Sequence, residues 1–277
     1  MKNTIQNSTV FITGAGSGIG YQIALAFAAE GAIIIATDVS TDGLEQLDAE
    51  IQALGALCHS HHLDVTNEEE YLALVQALEA AGQLPNIVIN NAGLGIISPF
   101  LETSTADWQL TLDINVIGVA LGCRLFSTLW KERGLGGQLV NISSMAAFAP
   151  PANLSAYAAS KYAVEGLSEV LAMELKAHNI SVTCVHPGVI NTPIVQDPSR
   201  SRIPLAQLER LQQHYIKQGQ HPRVVADDIV QAVKTEAGTV LSGKGVGSIA
   251  LMKRLLPRKW YRRILVSASR KIGYLPE

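Results

Sequence analysis

Cysteine is scarce in this chain: Cys58, Cys123 and Cys184 are the three in 277 residues, odd in number and far apart. They exclude a disulfide framework, offer no paired thiolates for a metal, and fit a reducing compartment. Charged residues are few as well, 16% of the chain, and neither a low-complexity stretch nor an internal repeat is present. With 48% hydrophobic residues and a mean hydropathy of +0.21, there is enough apolar surface to offset the entropy of folding. Disordered and fibrous classes are thereby excluded. No run of about 18 apolar residues occurs, and the opening MKNTIQNSTV lacks the apolar core of a secretory signal. The expectation is a soluble, cytoplasmic protein.

A net charge of −3 gives no general case for nucleic-acid binding. It conceals an asymmetry. From Leu251 onward, Lys253, Arg254, Arg258, Lys259, Arg262, Arg263, Arg270 and Lys271 stand against Glu277 alone, so this segment carries +7 and the preceding 250 residues −10.

Short β-branched runs alternate with longer segments of three-to-four periodicity, the rhythm of βαβ units around a parallel sheet. Strands are predicted at Thr9 to Ile12, Ala32 to Thr37, Ala56 to His62, Ile87 to Asn90, Gln138 to Ile142 and Ile180 to Val185. Helices are predicted at Gly18 to Ala29, Leu44 to Leu54, Glu68 to Ala81, Trp108 to Lys131 and Ser155 to Ala177. The expected fold is α/β, a doubly wound, Rossmann-like parallel sheet in one domain over residues 1–250, with 251–277 as a basic amphipathic tail. After the sixth strand a polar, Pro-punctuated stretch and a helix-like segment to about Gln218 interrupt the pattern. In open α/β sheets ligands bind beyond the carboxyl ends of the strands, so 193–222 reads as a substrate lid.

The segment Thr13-Gly14-Ala15-Gly16-Ser17-Gly18-Ile19-Gly20 follows a strand and opens a helix, where glycines let backbone N–H groups approach a pyrophosphate. Its spacing is GxxxGxG and not GxGxxG. Asp38 ends the second strand, 18 residues beyond Gly20, where a carboxylate accepts hydrogen bonds from ribose hydroxyls and repels a 2′-phosphate. Neither Ala15 nor Ser17 is basic, so NAD is favoured over NADP. The alternative for Asp38 is a helix N-cap. Asp64 ends the third strand before a Val-Thr-Asn helix start, and reads either as a cap or as a contact to adenine.

Tyr157 and Lys161 lie four apart in a periodic helix and so share a face. A phenol is a poor base at neutral pH, and a neighbouring ammonium favours its phenolate. Ser143-Ser144 ends a predicted strand, with Ser144 13 residues before Tyr157, and brings a hydroxyl to the same crevice. Asn115 sits in an apolar helix, where its amide needs partners, either at the site or as a purely structural residue.

Together these segments resemble the short-chain dehydrogenase/reductase family of the Tyr-x-x-x-Lys type. The likeness rests on Thr13 to Gly20, Asn90-Asn91-Ala92-Gly93, Asn115, Ser143-Ser144, Tyr157-Ala-Ala-Ser-Lys161 and Pro187-Gly188-Val-Ile190-Asn-Thr192, in the family's order across roughly residues 5–240. The resemblance implies Tyr157 as general acid/base, Lys161 lowering its pKa and holding the nicotinamide ribose, and Ser144 polarising the substrate oxygen. Ser144 is chosen over Ser143 by its distance from the tyrosine. Asn115 would anchor a relay water to Lys161. Gly14, Ser17, Gly18, Ile19, Gly20, Asp38, Asp64, Val65, Asn91, Ala92, Gly93, Pro187, Gly188, Ile190 and Thr192 would bind the cofactor with Tyr157 and Lys161. A homodimer or homotetramer is implied too.

His59, His61 and His62 beside Cys58 alternate across a strand without a CxxC or HExxH partner, so no metal is expected. Met173 and Trp108 read as core. In the tail, a helix from Pro257 sets Trp260, Tyr261, Ile264 and Leu265 against Arg258, Lys259, Arg262 and Arg263. It reads either as a membrane-surface helix or as one whose apolar side packs on the lid or another subunit. The expected activity is NAD-dependent hydride transfer between a nicotinamide and a lipophilic, steroid-like or lipid-derived secondary alcohol or ketone. A non-catalytic NAD(H) sensor and an epimerase or dehydratase on the same fold are the alternatives.

Overall fold

A computed structural model describes residues 4–276. Seven parallel strands, β1 (Thr9–Thr13), β2 (Ile33–Asp38), β3 (Cys58–His62), β4 (Ile87–Asn90), β5 (Gly137–Ile142), β6 (Ile180–Pro187) and β7 (Thr239–Ser242), form one sheet. Their order is β3-β2-β1-β4-β5-β6-β7. The order in which strands are added therefore reverses between β1 and β4, opening a crevice at their carboxyl ends.

Six strands match the expected ones within about two residues, and β7 is additional. Its sequence, TVLS, is four residues long and pairs only with β6, too short for alternation to announce it.

Alternation within each strand divides the core in two. Ile12, Ile34, Ala36, Ile89 and Ile142 face α1 (Gly18–Ala29), α2 (Thr41–Ala53) and, further along the chain, α9 (Arg223–Thr235). Phe11, Ile35, Val88 and Leu139 face the opposite layer, α3 (Glu68–Ala80), α5 (Gly118–Glu132) and α6 (Ser155–Glu174). Strands apolar on both sides require this double cover.

One continuous helix runs over 105–132, as α4 (Thr105–Leu112), a π-turn at Asp113–Ile117, and α5. It is long and apolar enough to cross a bilayer, yet half of its most apolar stretch is buried inside the protein. It begins earlier than expected because Ser104 and Asp107 form a capping box. On α6 the expected core position of Met173 is corrected: it is 71% exposed, on an outward face shared with Tyr162 and Val170. Trp108 is half-buried and meets Phe100 edge-on.

Beyond β6 come α7 (Pro193–Gln196) and α8 (Leu205–Gln218), and after β7, α10 (Val246–Leu255) and α11 (Arg258–Ile272). Backbone hydrogen bonds from Ile97 to Arg200 and from Arg202 to Ile97 bind the α7–α8 segment to the loop after β4. Arg202 also grips the buried Asp107 through Nη2 at 2.6 Å and Nε at 3.2 Å. α11 runs back beneath the 147–153 loop: Tyr261 Oη donates to the Phe148 carbonyl at 3.0 Å, and Ala152 N donates to Ser269 Oγ at 3.3 Å.

Candidate active site

The crevice at the carboxyl ends of the strands holds a cavity of about 610 Å³. At one end lies the glycine turn. Gly18 has φ +58°, which a side chain resists, and a Cβ on Gly20 would stand 2.1 Å from the Gly14 carbonyl oxygen. The turn thus brings bare backbone to the start of α1. Ser17, the N-cap, gives no side-chain bond to this helix, and its first turn carries no acid. By contrast α2, α3 and α4 are closed by their own Ser40, Asn67 and Ser104. A helix start left open in this way offers its N–H groups and dipole to an anion such as a pyrophosphate.

Asn91 staples the turn to β4: its Nδ2 donates to the Thr13 and Gly14 carbonyls, and Thr13 Oγ1 accepts from Asn91 N and Ala92 N, all at 3.0 Å. Asp38 braces it from the other side, with Oδ2 accepting from Gly16 N at 2.8 Å and Oδ1 from Ser40 N at 2.9 Å. Ser40, not Asp38, caps α2. Each Asp38 oxygen keeps a further acceptor position for a sugar hydroxyl. Asp64 Oδ1 accepts from the N–H and hydroxyl of Thr66, ordering the turn before α3, and Asp64 also lines the cavity. A dinucleotide fits this end: open N–H groups, a carboxylate with acceptor capacity, and, among the described residues that line the cavity, no cation beside it.

The other end carries ionisable chemistry. Lys161 is buried, donates from Nζ to the Ile142 carbonyl at 2.9 Å, and stands 5.6 Å from the centre of the Tyr157 ring. Burial pulls its pKa down to about 8. Burial pushes the Tyr157 phenol up to about 12, with the Ser144 hydroxyl acting in the opposite direction and the Tyr215 phenol adding to the rise. Ser143 donates its hydroxyl to the Lys161 carbonyl at 2.8 Å, fastening α6 to β5. The Ser144 Oγ accepts from Ala146 N at 3.1 Å and keeps its own hydrogen to donate. His186, which sequence reasoning passed over, fixes Ser144 from behind: its Nδ1 donates to the Ser144 carbonyl at 3.3 Å, and burial lowers the pKa of the ring.

Among the cofactor positions named from the sequence, Gly14, Ser17, Gly18, Ile19, Asp38, Asp64, Val65, Asn91, Ala92, Gly93, Pro187, Gly188, Ile190 and Thr192 line this cavity, as do Ser144, Tyr157 and Lys161. Gly20 and Asn115 lie behind the wall. Asn115, fully buried in the π-turn, accepts from Leu94 N and donates to the Leu94 carbonyl, both at 2.9 Å, and donates to Ser160 Oγ at 3.0 Å. Both amide hydrogens are taken, so the side chain clamps the loop after β4 onto α6. The histidines near Cys58 have separate partners, His59 with Gln83 and His62 with Glu70. Two parts of the wall were not foreseen: Leu94, Gly95 and Ile97, and Ile249, Met252, Tyr261, Leu265, Ile272 and Tyr274 from α10, α11 and the turn beyond.

Residues 8–202 match the short chain dehydrogenase family. The chain belongs to that family, whose members bind NAD(P) and often assemble into oligomers. It is 40% identical over 237 residues to the probable oxidoreductase EphD of Mycobacterium tuberculosis, which matches 82% of this chain. This chain spans 40% of EphD's length. It is 34% identical over 199 residues to the NADP-dependent (R)-specific alcohol dehydrogenase of Lentilactobacillus kefiri, covering 71% of this chain and 79% of that one. A short chain dehydrogenase/reductase from Burkholderia phymatum, solved in complex with NAD, superposes with a TM-score of 0.83 at 28% identity, over 95% of this chain and 96% of that one. The chain is thus a member of the short-chain dehydrogenase/reductase family with an alcohol dehydrogenase among its relatives.

Proposed function

We propose that the protein is an NAD-dependent dehydrogenase of lipophilic secondary alcohols, or the reductase of the matching ketones, with Tyr157 as general acid/base. The observation that carries this reading is the convergence of Ser144, Tyr157 and Lys161 on one cavity whose far end is the open start of α1 and the Asp38 carboxylate. A bound nicotinamide supplies the hydride chemistry. In the oxidative direction Tyr157, as phenolate, takes the alcohol proton while the Ser144 hydroxyl donates to the substrate oxygen. The Lys161 ammonium favours that phenolate. Asn115 is a positioning residue that holds Leu94 and α6 in place.

Asp38 favours NAD. Lys161 and Arg200 are the cations lining the cavity; the first faces the tyrosine and the second pairs with Asp197 at 3.3 Å, so neither is offered to a 2′-phosphate beside Asp38. The lipophilic character rests on Ile97, Leu154, Val195, Ile203, Leu208 and Leu211, which pack around the catalytic end. The α7–α8 segment acts as lid over this pocket. Exposed Leu110, Ile117, Val170 and Met173 on the long helices support a homodimer or homotetramer.

The tail's second role is loose attachment to anionic membranes. Tyr261 and Leu265 turn inward, so the apolar face expected on α11 is divided, but Leu251, Leu255, Trp260 and Ile264 remain exposed among the eight basic residues. A cytoplasmic location with such attachment suits a lipophilic substrate.

The direct test is a panel of hydroxysteroids, retinoids, aliphatic alcohols and sugars with NAD⁺ and NADP⁺, followed at the nicotinamide absorbance. Oxidation of a lipophilic secondary alcohol with NAD⁺ is the expected result. Absence of turnover in both directions, or turnover confined to sugars, contradicts the reading.

A further inference from the structure

Two tyrosines that reach the cavity from distant parts of the chain meet beside the catalytic end. Tyr215 lies on α8 and Tyr274 follows the end of α11, and their hydroxyl oxygens are 2.7 Å apart. Both line the cavity with Tyr157. Tyr274 is 3% exposed, and the charge on each of the three phenols is felt by another: Tyr215 raises the pKa of Tyr157, and Tyr157 that of Tyr274.

Tyr274 is held in place by bonds that do not involve its ring. Its carbonyl accepts from Asn153 Nδ2 at 2.7 Å, the preceding Gly273 carbonyl accepts from Gln207 Nε2 at 2.9 Å, and Leu275 N donates to the Ser269 carbonyl at 3.1 Å. Asn153 belongs to the loop before the catalytic helix α6, and Gln207 to α8. Lid, catalytic loop and tail are thereby tied at the point where this phenol enters the cavity.

A pair of phenols has two O–H groups. One hydrogen lies between the two oxygens, and the other has no protein acceptor among the described residues. A donor held among apolar side chains without a partner is disfavoured. The surrounding side chains, Ile97, Leu154, Val195 and Leu211 among them, are apolar, and burial penalises a charged partner. An uncharged oxygen carried by the substrate meets both conditions.

We propose that the Tyr215–Tyr274 hydroxyl pair is a second oxygen-binding point of the substrate cavity, holding a carbonyl or hydroxyl oxygen of the substrate remote from the one at Tyr157. The inference deepens the proposed dehydrogenase reading and rests on it for the orientation of the substrate. It narrows the substrate class from simple alcohols to apolar molecules bearing two oxygens.

The experiment uses matched pairs: cyclohexanol and a cyclohexanediol, and a hydroxysteroid with and without a ketone at the far end of its ring system. kcat/KM with NAD⁺ and calorimetric affinity are measured for each in the parent, Tyr215→Phe and Tyr274→Phe. The parent should prefer the doubly oxygenated member of at least one pair by about tenfold, the equivalent of one hydrogen bond. Both variants should bring that ratio close to unity, through KM more than kcat. A ratio near one in the parent for every pair, or one that survives both substitutions, overturns the proposal. Preferential binding that the substitutions abolish, without turnover of any member, leaves the oxygen-binding point standing and removes the dehydrogenase reading instead.

Discussion

At the scale of single residues, the site places two ionisable groups against their ordinary behaviour. Lys161 is buried with one carbonyl partner, and its pKa falls to about 8 from 10.5. Between those two values the unfolded chain keeps a proton on this lysine that the folded protein has released. The unfolded state binds more protons, so stability rises with pH across that window, and below about 8 the folded protein carries the full penalty of the buried charge. Urea unfolding of the cofactor-free protein at a series of pH values should show this rise, and Lys161→Met should flatten it. Identical pH dependence in parent and variant would mean that Lys161 is not buried as described. The Tyr157 phenol, pushed up to about 12, is no base by itself near neutrality. A neighbouring positive charge must bring it down, and Lys161 keeps that charge only below about 8. The proposed reading therefore requires the tyrosine and lysine to act as a unit.

At the scale of elements, what holds the α7–α8 segment is specific. Arg202 forms a two-pronged contact to Asp107, which at the same time closes the capping box of α4. The Arg202 guanidinium and the Ser104 bonds hold the Asp107 carboxyl below its usual range. A depressed carboxylate contributes stability that is present above its unfolded pKa and is lost as pH falls through its folded pKa. Arg202→Met should expose 197–204 to proteolysis several-fold faster and raise KM more than it changes kcat. Unaltered cleavage with an unaltered KM would show that the bridge does not hold the segment. The sheet and its flanking helices were legible from periodicity, because strands buried on both faces and helices of a dozen residues leave strong patterns. β7 was not, since four residues at a sheet edge leave none. The role of α11 was read only by half: Tyr261 faces inward while Trp260 next to it faces outward, and a hydrophobic stripe does not say what covers it. Tyr274, beyond the helix-ending Gly273, has no periodic pattern around it, and only its hydrogen bonds to α8 and the 153 loop place it. That most motif residues line one crevice was legible because local spacing sets them at the ends of strands and the starts of helices. Asn115 was legible as a buried amide in need of partners, but those partners, Leu94 and Ser160, are set by tertiary packing.

At the scale of the whole molecule, a parallel sheet carries its chemistry at one edge, and the tail connects that edge to the surroundings. The segment from Leu251 carries +7 against −10 for the rest, and it presents Leu251, Leu255 and Trp260 to the outside while Tyr261 and Tyr274 close the cavity. Sedimentation with vesicles containing anionic lipid should pull down the protein at low salt and release it as ionic strength rises, with the Debye length shrinking from about 30 Å at 0.01 M to about 8 Å at 0.15 M. Arg262→Glu with Arg263→Glu should reduce the bound fraction severalfold. Equal recovery with neutral and anionic vesicles would remove the membrane role and leave the oxidoreductase site untouched. The proposed site depends on a phenol and an ammonium one helical turn apart at the substrate end of the cavity. The measurement that tests it most directly is Tyr157→Phe, assayed for NADH binding by fluorescence and for turnover of whichever alcohol the panel identifies. The account predicts NADH affinity close to that of the parent and turnover lower by about 10²–10⁴-fold; turnover at the parental rate would contradict it.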